Sequence, residues 1–186
     1  MANENKTDLS KTSVTADETG IANAVNVIFI RKNPETGVPQ MAIHKRINPS
    51  KAGYNQWAIP GGTQKQGESL EETAIREMRE EVGVNPKHFV FNNMFQVISE
   101  HMKADGSVKV NHFNHFAFVC TDWEGEFVNN EPHKHTDLEW CDVDKLPIDD
   151  FFISKGNIIN FVKGAFYSEE ANHYERLQKE PQKTLQ

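Results

Sequence analysis

The sequence predicts one mixed α/β domain over residues 21–168, a mixed β-sheet flanked by helices. Three observations predict it. Short apolar runs rich in β-branched residues are separated by turn signals, so hairpins outnumber crossovers. Residues 69–83 carry a cap at each end and an apolar residue every fourth position between them. A hydrophobic fraction of 37% with 25% charged residues suits a single globular core in a chain of 186 residues.

Residues 1–20 are polar, with Leu9 and Val14 the only large aliphatic residues after Met1, and read as a flexible tail. Ala24 to Ile30 (AVNVIFI) reads as a buried strand, and Met41 to Arg46 (MAIHKR) as its hairpin partner across the turn signals Asn33-Pro34 and Thr36-Gly37. Asn48 to Gln56 is a loop by composition. Trp57 to Ile59 is a short apolar piece stopped by Pro60-Gly61-Gly62. Beyond the helix, Phe89 to Ser99 and Val108 to Cys120 read as strands around an Asp105-Gly106 turn. A charged loop, residues 122–137, leads to a short strand at Leu138 to Val143, which Lys145-Leu146-Pro147 ends. Asn157 to Ala165 places apolar residues at helical spacing, and residues 169–186 form a polar C-terminal tail that Tyr174 and Leu177 can make partly helical.

Several function classes are excluded at this stage. A formal charge of −7 offers no basic footprint for a nucleic-acid duplex. No apolar run reaches the ~20 residues of a membrane span, and the N-terminus lacks the apolar stretch of a signal peptide. Cys120 and Cys141 have neither disulfide nor zinc-ribbon spacing and read as buried small residues, so the expected location is cytoplasmic. Nothing in the sequence signals an oligomeric state.

The helix concentrates the chemistry. Ser69 with Glu72 is a capping box, and Gly83 suits the left-handed residue that ends a helix, which bounds it at residues 70–82. Leu70, Ala74, Met78 and Val82 form its buried stripe. Glu77, Glu80 and Glu81 then share one side near the C-terminal end, where the helix dipole disfavours acids. Arg76 can offset one of them; the rest call for a hard divalent cation, and oxygen-only ligands select Mg²⁺, with Mn²⁺ as a substitute. A solvated acidic face would need no such partner. Two features argue against it: the Gly61-Gly62 pair offers bare backbone to the same helix, and Glu68 stands alone just before the N-cap.

Gly62, five residues, Glu68, seven residues, then Arg76-Glu77-Met78-Arg79-Glu80-Glu81-Val82-Gly83-Val84 resembles the Nudix box at every fixed position. The resemblance implies an α/β/α sandwich that hydrolyses nucleoside diphosphates linked to another moiety, by metal-assisted attack of water at phosphorus. Glu81 to Phe89, Trp123 to Glu126, Glu131 and Trp140 are similar to the MutT-like branch, whose members cleave nucleoside triphosphates to monophosphate and pyrophosphate.

That resemblance implies roles by residue. Glu77, Glu80 and Glu81 would ligate Mg²⁺, with the carbonyl of Gly61 or Gly62 as a backbone ligand. Glu131, on its loop, would complete the metal site or activate water. Glu77 and Glu131 are alternative general bases. Arg76 would orient a ligating carboxylate, and Glu68 is structural or supports the ligands. Arg46, Trp57 and Asn157 are candidates for substrate contact, with Asn160 an alternative to Asn157; Phe29, Phe113 and Trp140 are further stacking candidates that also suit a core.

The expected partner is a small nucleotide. Absence of proline over residues 87–120 and of the tyrosine expected near Glu100 to Met102 favours (d)NTPs, and hence nucleotide-pool sanitation, by elimination. Nucleotide sugars, dinucleoside polyphosphates or RNA 5′ ends are the alternative substrates, and a non-catalytic nucleotide sensor is the alternative of another class. His101, His112, His115, His133 and His135 have scattered spacing and no cysteine partner, so they read as surface or satisfied residues rather than zinc ligands, with one of the loop pair a candidate for phosphate contact or acid catalysis.

Overall fold

The structure is a computed structural model. It describes residues 20–102, 108–152, 158 and 167–171. In chain order these form β1 (Ile21–Lys32), β2 (Pro39–Lys45), β3 (Trp57–Ala58), β4 (Gly61–Thr63), α1 (Leu70–Val82), β5 (Asn85–Met102), β6 (Val108–Glu124), β7 (Glu139–Asp142) and β8 (Tyr167–Ala171). The strands make one mixed sheet in the order β3-β2-β1-β6-β5-β8, with β4 also on β1 and β7 also on β2. β1 runs parallel to β6 and β8 parallel to β5; the remaining pairs are antiparallel.

Alternation along β1 makes the two faces of the sheet. Val25, Val27 and Phe29 point to α1 and join Ala74, Met78 and Val82 in one core cluster. Ile28 points the other way and packs with Met41, Ile43, Ala117, Leu146, Phe151 and Ile158. A Met side chain buried as Met78 is contributes roughly 2–5 kcal/mol against truncation to Ala, so the α1 layer is anchored mainly by its apolar stripe.

Helix α1 has the predicted bounds because its ends are locally encoded. The Ser69 hydroxyl accepts the Glu72 N–H at 3.1 Å while the Glu72 carboxylate accepts the Ser69 N–H at 2.8 Å. Gly83 sits at φ 74°, where a side chain would be strained, and closes the last turn. The predicted β1–β2 hairpin is present, in register Ile30 with Met41.

Other elements differ from the sequence expectation. Gly61 and Gly62 do not merely stop β3; they form β4 and pair with Asn26 and Val25 of β1. The pairing requires glycine, since a Cβ on Gly61 would overlap the Val25 carbonyl and Asn26. β5 starts at Asn85, directly after the helix, and accommodates Pro86 beside a register shift against β6. The boundary expected at residue 168 falls inside β8, so Glu169 to Ala171 belong to the sheet as a parallel partner of β5 and not to a frayed or helical tail. Main-chain pairing with an open strand edge supplies hydrogen bonds that no side-chain pattern announces. The N-terminal tail, the Asp105-Gly106 turn and residues 172–186 lie outside the described residues. So does the predicted helix at Asn157 to Ala165, apart from Ile158, which is helical and buried. Among the described residues no helix is long and apolar enough to cross a membrane.

Candidate active site

The site forms where α1, β4 and the loop before β7 meet. β4 passes so close to the helix that a Cβ on Gly62 would overlap the Glu77 carboxyl group. One turn further on, Glu81 Oε2 accepts the Gly61 N–H at 2.8 Å. Burial of Glu81, 5% exposed, leaves this carboxylate facing inward at the end of the helix.

Arg76 organises the acids around it. Its Nε and Nη2 donate to the two oxygens of Glu68 at 2.6 and 2.9 Å, a bidentate fork. Nη1 donates to Glu77 at 2.6 Å and to Glu80 at 3.1 Å, and Nη2 also reaches the Thr63 carbonyl of β4 at 3.0 Å. Burial works against the guanidinium charge, but the hydrogen bonds it donates to Glu68 and Glu77 prevail and hold it protonated above its usual range. Glu68 in turn is held well down, at about 2, chiefly by Arg76. Burial pushes the Glu77 carboxyl up, opposed by Arg76. Glu68 is therefore the anchor of Arg76.

The loop is laced to the end of α1. Val128 and Asn130 N–H groups donate to the carbonyls of Val82 and Glu81 at 3.0 and 3.1 Å, and the Asn130 side chain reaches the Arg79 carbonyl at 3.2 Å. These are last-turn carbonyls with no partner inside the helix. The loop also pairs with the end of β2, through Thr136 N–H to the Lys45 carbonyl and an isolated bridge between Arg46 and His135.

This lacing brings His135, rather than the Glu131 carboxylate, to Glu81. His135 Nδ1 lies 3.0 Å from Glu81 Oε1, although without the alignment of a hydrogen bond, and His44 Nε2 lies 3.8 Å from the same oxygen. The two imidazoles stack with centroids 4.1 Å apart and planes at 10°. Burial, then His135 and Arg46, lower the His44 pKa to about 3, so this ring is neutral. Ligand atoms of His44, Glu81 and His135 lie within 4.8 Å of one another. With the rings stacked, however, their in-plane lone pairs do not converge on one point at about 2 Å, as a shared ion would require. Glu131 is held by Lys134 at 2.5 Å.

A cavity of about 300 Å³ adjoins these groups. Glu81, Gly61 and Gly62 line it together with Arg46, Phe113 and His115. The Arg46 guanidinium lies 4.7 Å over the Phe152 ring, and burial lowers its pKa.

Of the residues predicted from sequence, the structure gathers Gly61, Gly62, Arg76, Glu77, Glu80 and Glu81, and places Arg46 in the adjoining cavity. It does not bring Glu131 into that group. Trp57 packs against the second core cluster, with the Lys45 ammonium 5.1 Å over its ring, and does not line the cavity. Phe113 lines the cavity, whereas Phe29 and Trp140 pack with the Trp123–Phe127 cluster. Asn157 and Asn160 lie outside the described residues. The expectation that the histidines are surface or satisfied residues is corrected for His112, His115 and His135, each of which carries a buried ring nitrogen without a hydrogen-bond partner. His44 and Asn26 were missed altogether. Asn26 left a signal, as the one polar residue inside AVNVIFI; His135 left none, because its burial depends on the path of the loop.

A family model for the NUDIX domain matches residues 21–160. Among curated proteins, the chain is 28% identical over 106 residues to an uncharacterised Nudix hydrolase, YvcI, of Bacillus subtilis, covering 57% of this chain and 63% of that protein. It is 31% identical over 97 residues to the 8-oxo-dGTP diphosphatase of Escherichia coli, covering 52% and 66%. The matched segments thus span less than two thirds of either relative. Among solved structures, the MutT Nudix hydrolase of Burkholderia pseudomallei superposes with a TM-score of 0.59 at 20% identity, over 76% of this chain and 98% of that one. The MutT protein of Bacillus halodurans does so with 0.58 at 22%, over 81% and 89%. At these identities the likeness is one of fold, the mixed sheet of a Nudix α/β/α sandwich.

Proposed function

The chain belongs to the NUDIX domain family, and from that premise we propose that it is a hydrolase of pyrophosphate bonds in nucleoside diphosphate derivatives, converting (d)NTP to (d)NMP and pyrophosphate. The observation that carries the proposal is the approach of two α1 carboxylates, Glu77 and Glu81, to the bare backbone of β4, with Glu80 joined to Glu77 through Arg76. Similarity to an 8-oxo-dGTP diphosphatase supports the triphosphate substrate.

The residues present fit a divalent cation. Glu77, Glu80 and Glu81 are an oxygen-only donor set, and the missing side chain of Gly62 is what lets the Glu77 carboxyl group lie against the β4 backbone. Family members use divalent metals; here Glu77, Glu80 and Glu81, with a Gly61 or Gly62 carbonyl, would hold Mg²⁺ or Mn²⁺, leaving Glu131 to Lys134. When bound, the cation neutralises charge on the phosphates and acidifies water. Arg76 holds Glu77 and Glu80 in place through its N–H groups without being a metal ligand itself. Glu77 Oε1 accepts from Arg76, which leaves Oε2 either to hold the cation or to take the proton of the attacking water, a role for which Glu131 is the alternative. Arg46 contacts the phosphates from the cavity side.

A Mg²⁺-dependent substrate panel with product analysis tests the proposal, run beside Glu80→Gln and Glu81→Gln. Pyrophosphate from NTPs is expected, with both variants impaired. Release of orthophosphate, or turnover confined to nucleotide sugars, dinucleoside polyphosphates or RNA 5′ ends, overturns the triphosphate reading. Tight nucleotide binding without any turnover would mean a sensor instead.

A further inference from the structure

His115 lies on the floor of the cavity, on β6. Its Cα partners are Ala24 on β1 and Phe95 on β5, which places its ring beside Asn26, two residues along β1. Asn26 Oδ1 is 3.0 Å from His115 Nδ1, and the Phe95 ring stacks on the imidazole with centroids 4.6 Å apart at 22°. Position and orientation of the ring are therefore set from both neighbouring strands.

The tautomer follows from Asn26. A carbonyl oxygen only accepts, so Nδ1 carries the proton and Nε2 carries a lone pair. Burial lowers the pKa of the ring to about 4, so Nε2 stays unprotonated at neutral pH. Yet Nε2 is buried without any hydrogen-bond partner, in a residue only 9% exposed. Such orphaned acceptors are rare in folded interiors, and one carried by a residue that lines a cavity points to a ligand. The ligand must bring a donor. Phe95, Phe113 and Phe152 around the same cavity suit a flat aromatic partner, and Glu81 and Gly62 line it as well, so that partner is joined to the phosphates.

We propose that His115 is a specificity residue whose Nε2 accepts a hydrogen bond from an N–H on the edge of the substrate's nucleobase, with Asn26 positioning the ring through Nδ1. The inference rests on the reading of this cavity as a nucleotide site. It goes further by naming the chemistry selected: bases that present an amino or imino N–H, over analogues that lack one.

Two measurements test it. Ring ¹⁵N spectra of the labelled full chain, without metal, follow His115 while non-hydrolysable α,β-methylene nucleoside triphosphates are added. Nε2 shifts with the adenosine compound and not with the purine riboside compound, which lacks the amino group; Nδ1 remains protonated throughout. A ribose hydroxyl as donor predicts instead that ribo and 2′-deoxy forms differ while the two bases do not, and that result overturns the proposal. So does an Nε2 signal unmoved by any member of a panel carrying adenine, guanine and cytosine. In turnover, the wild type prefers the donor-bearing nucleotide over its donor-less analogue by at least about tenfold in kcat/KM, because a site built around a hydrogen bond rejects the analogue lacking it. His115→Phe keeps the flat ring and loses that preference, through a raised KM for the donor-bearing nucleotide; a preserved preference overturns the assignment. If no nucleotide yields pyrophosphate while Nε2 still responds to the base, the hydrolytic reading fails and this one stands.

Discussion

Glu81 Oε2 accepts the Gly61 N–H at 2.8 Å, so the last turn of α1 is tied to β4 by the same carboxylate whose other oxygen faces His44 and His135. A buried carboxylate with one oxygen committed to the fold and one turned to a polar cluster has both a structural and a chemical task, and substitution can separate them.

Glu81→Gln keeps an oxygen that can accept from Gly61 but removes the charge. Activity is expected to fall at least about a hundredfold in kcat/KM, since even groups that only support metal ligands cost 10–100-fold. Thermal unfolding shows a small change at most. Glu81→Ala loses both tasks and unfolds at lower temperature as well.

Arg76→Lys keeps the charge and loses the fork. Its single ammonium cannot serve Glu68, Glu77, Glu80 and the Thr63 carbonyl together. The expected cost is about 2 kcal/mol in denaturant unfolding, together with a loss of activity that added Mg²⁺ partly restores. Unchanged stability would show that the fork contributes nothing to the fold.

Gly62→Ala introduces a Cβ into the Glu77 carboxyl group. The overlap is relieved only by moving Glu77 or prising β4 from α1, at about 1–3 kcal/mol. Activity should collapse while the far-UV spectrum is retained. Full activity would mean that Glu77 is free to relocate and its observed position is immaterial.

His115 makes stability depend on pH. Its folded-state pKa is lowered from 6.5 to about 4 by burial, so the unfolded chain binds the extra proton as pH falls between those values. The contribution is complete above pH 6.5, declines as pH drops towards 4, and amounts to roughly 3 kcal/mol across the window. His44, lowered to about 3, acts in the same direction. The measurement is therefore a difference: unfolding free energy against pH for wild type minus His115→Phe, which should slope only within that window.

The helix was legible to the residue because everything that bounds it is local. Ser69 meets Glu72 three positions on, and Gly83 needs only its own φ. The acid cluster was legible for the same reason, since α-helical spacing alone puts Glu77, Glu80 and Glu81 on one side. β4 was not. Gly61 and Gly62 carry no strand propensity, and their pairing with Asn26 and Val25 depends on a partner more than thirty residues away. Nor was β8, whose contribution is main-chain bonds to β5.

By itself, then, the sequence determined the helix, its caps, the carboxylates it presents and the family to which they belong, because a residue spacing of three or four becomes a spatial neighbour as soon as the helix forms. Only the tertiary structure decided which groups meet those carboxylates. It left Glu131 with Lys134, brought His135 from the same loop to Glu81, and stood Asn26 beside His115 across two parallel strands. Those meetings depend on strand order and on carbonyls at a helix end finding donors in a distant loop, and no pattern along the chain encodes either.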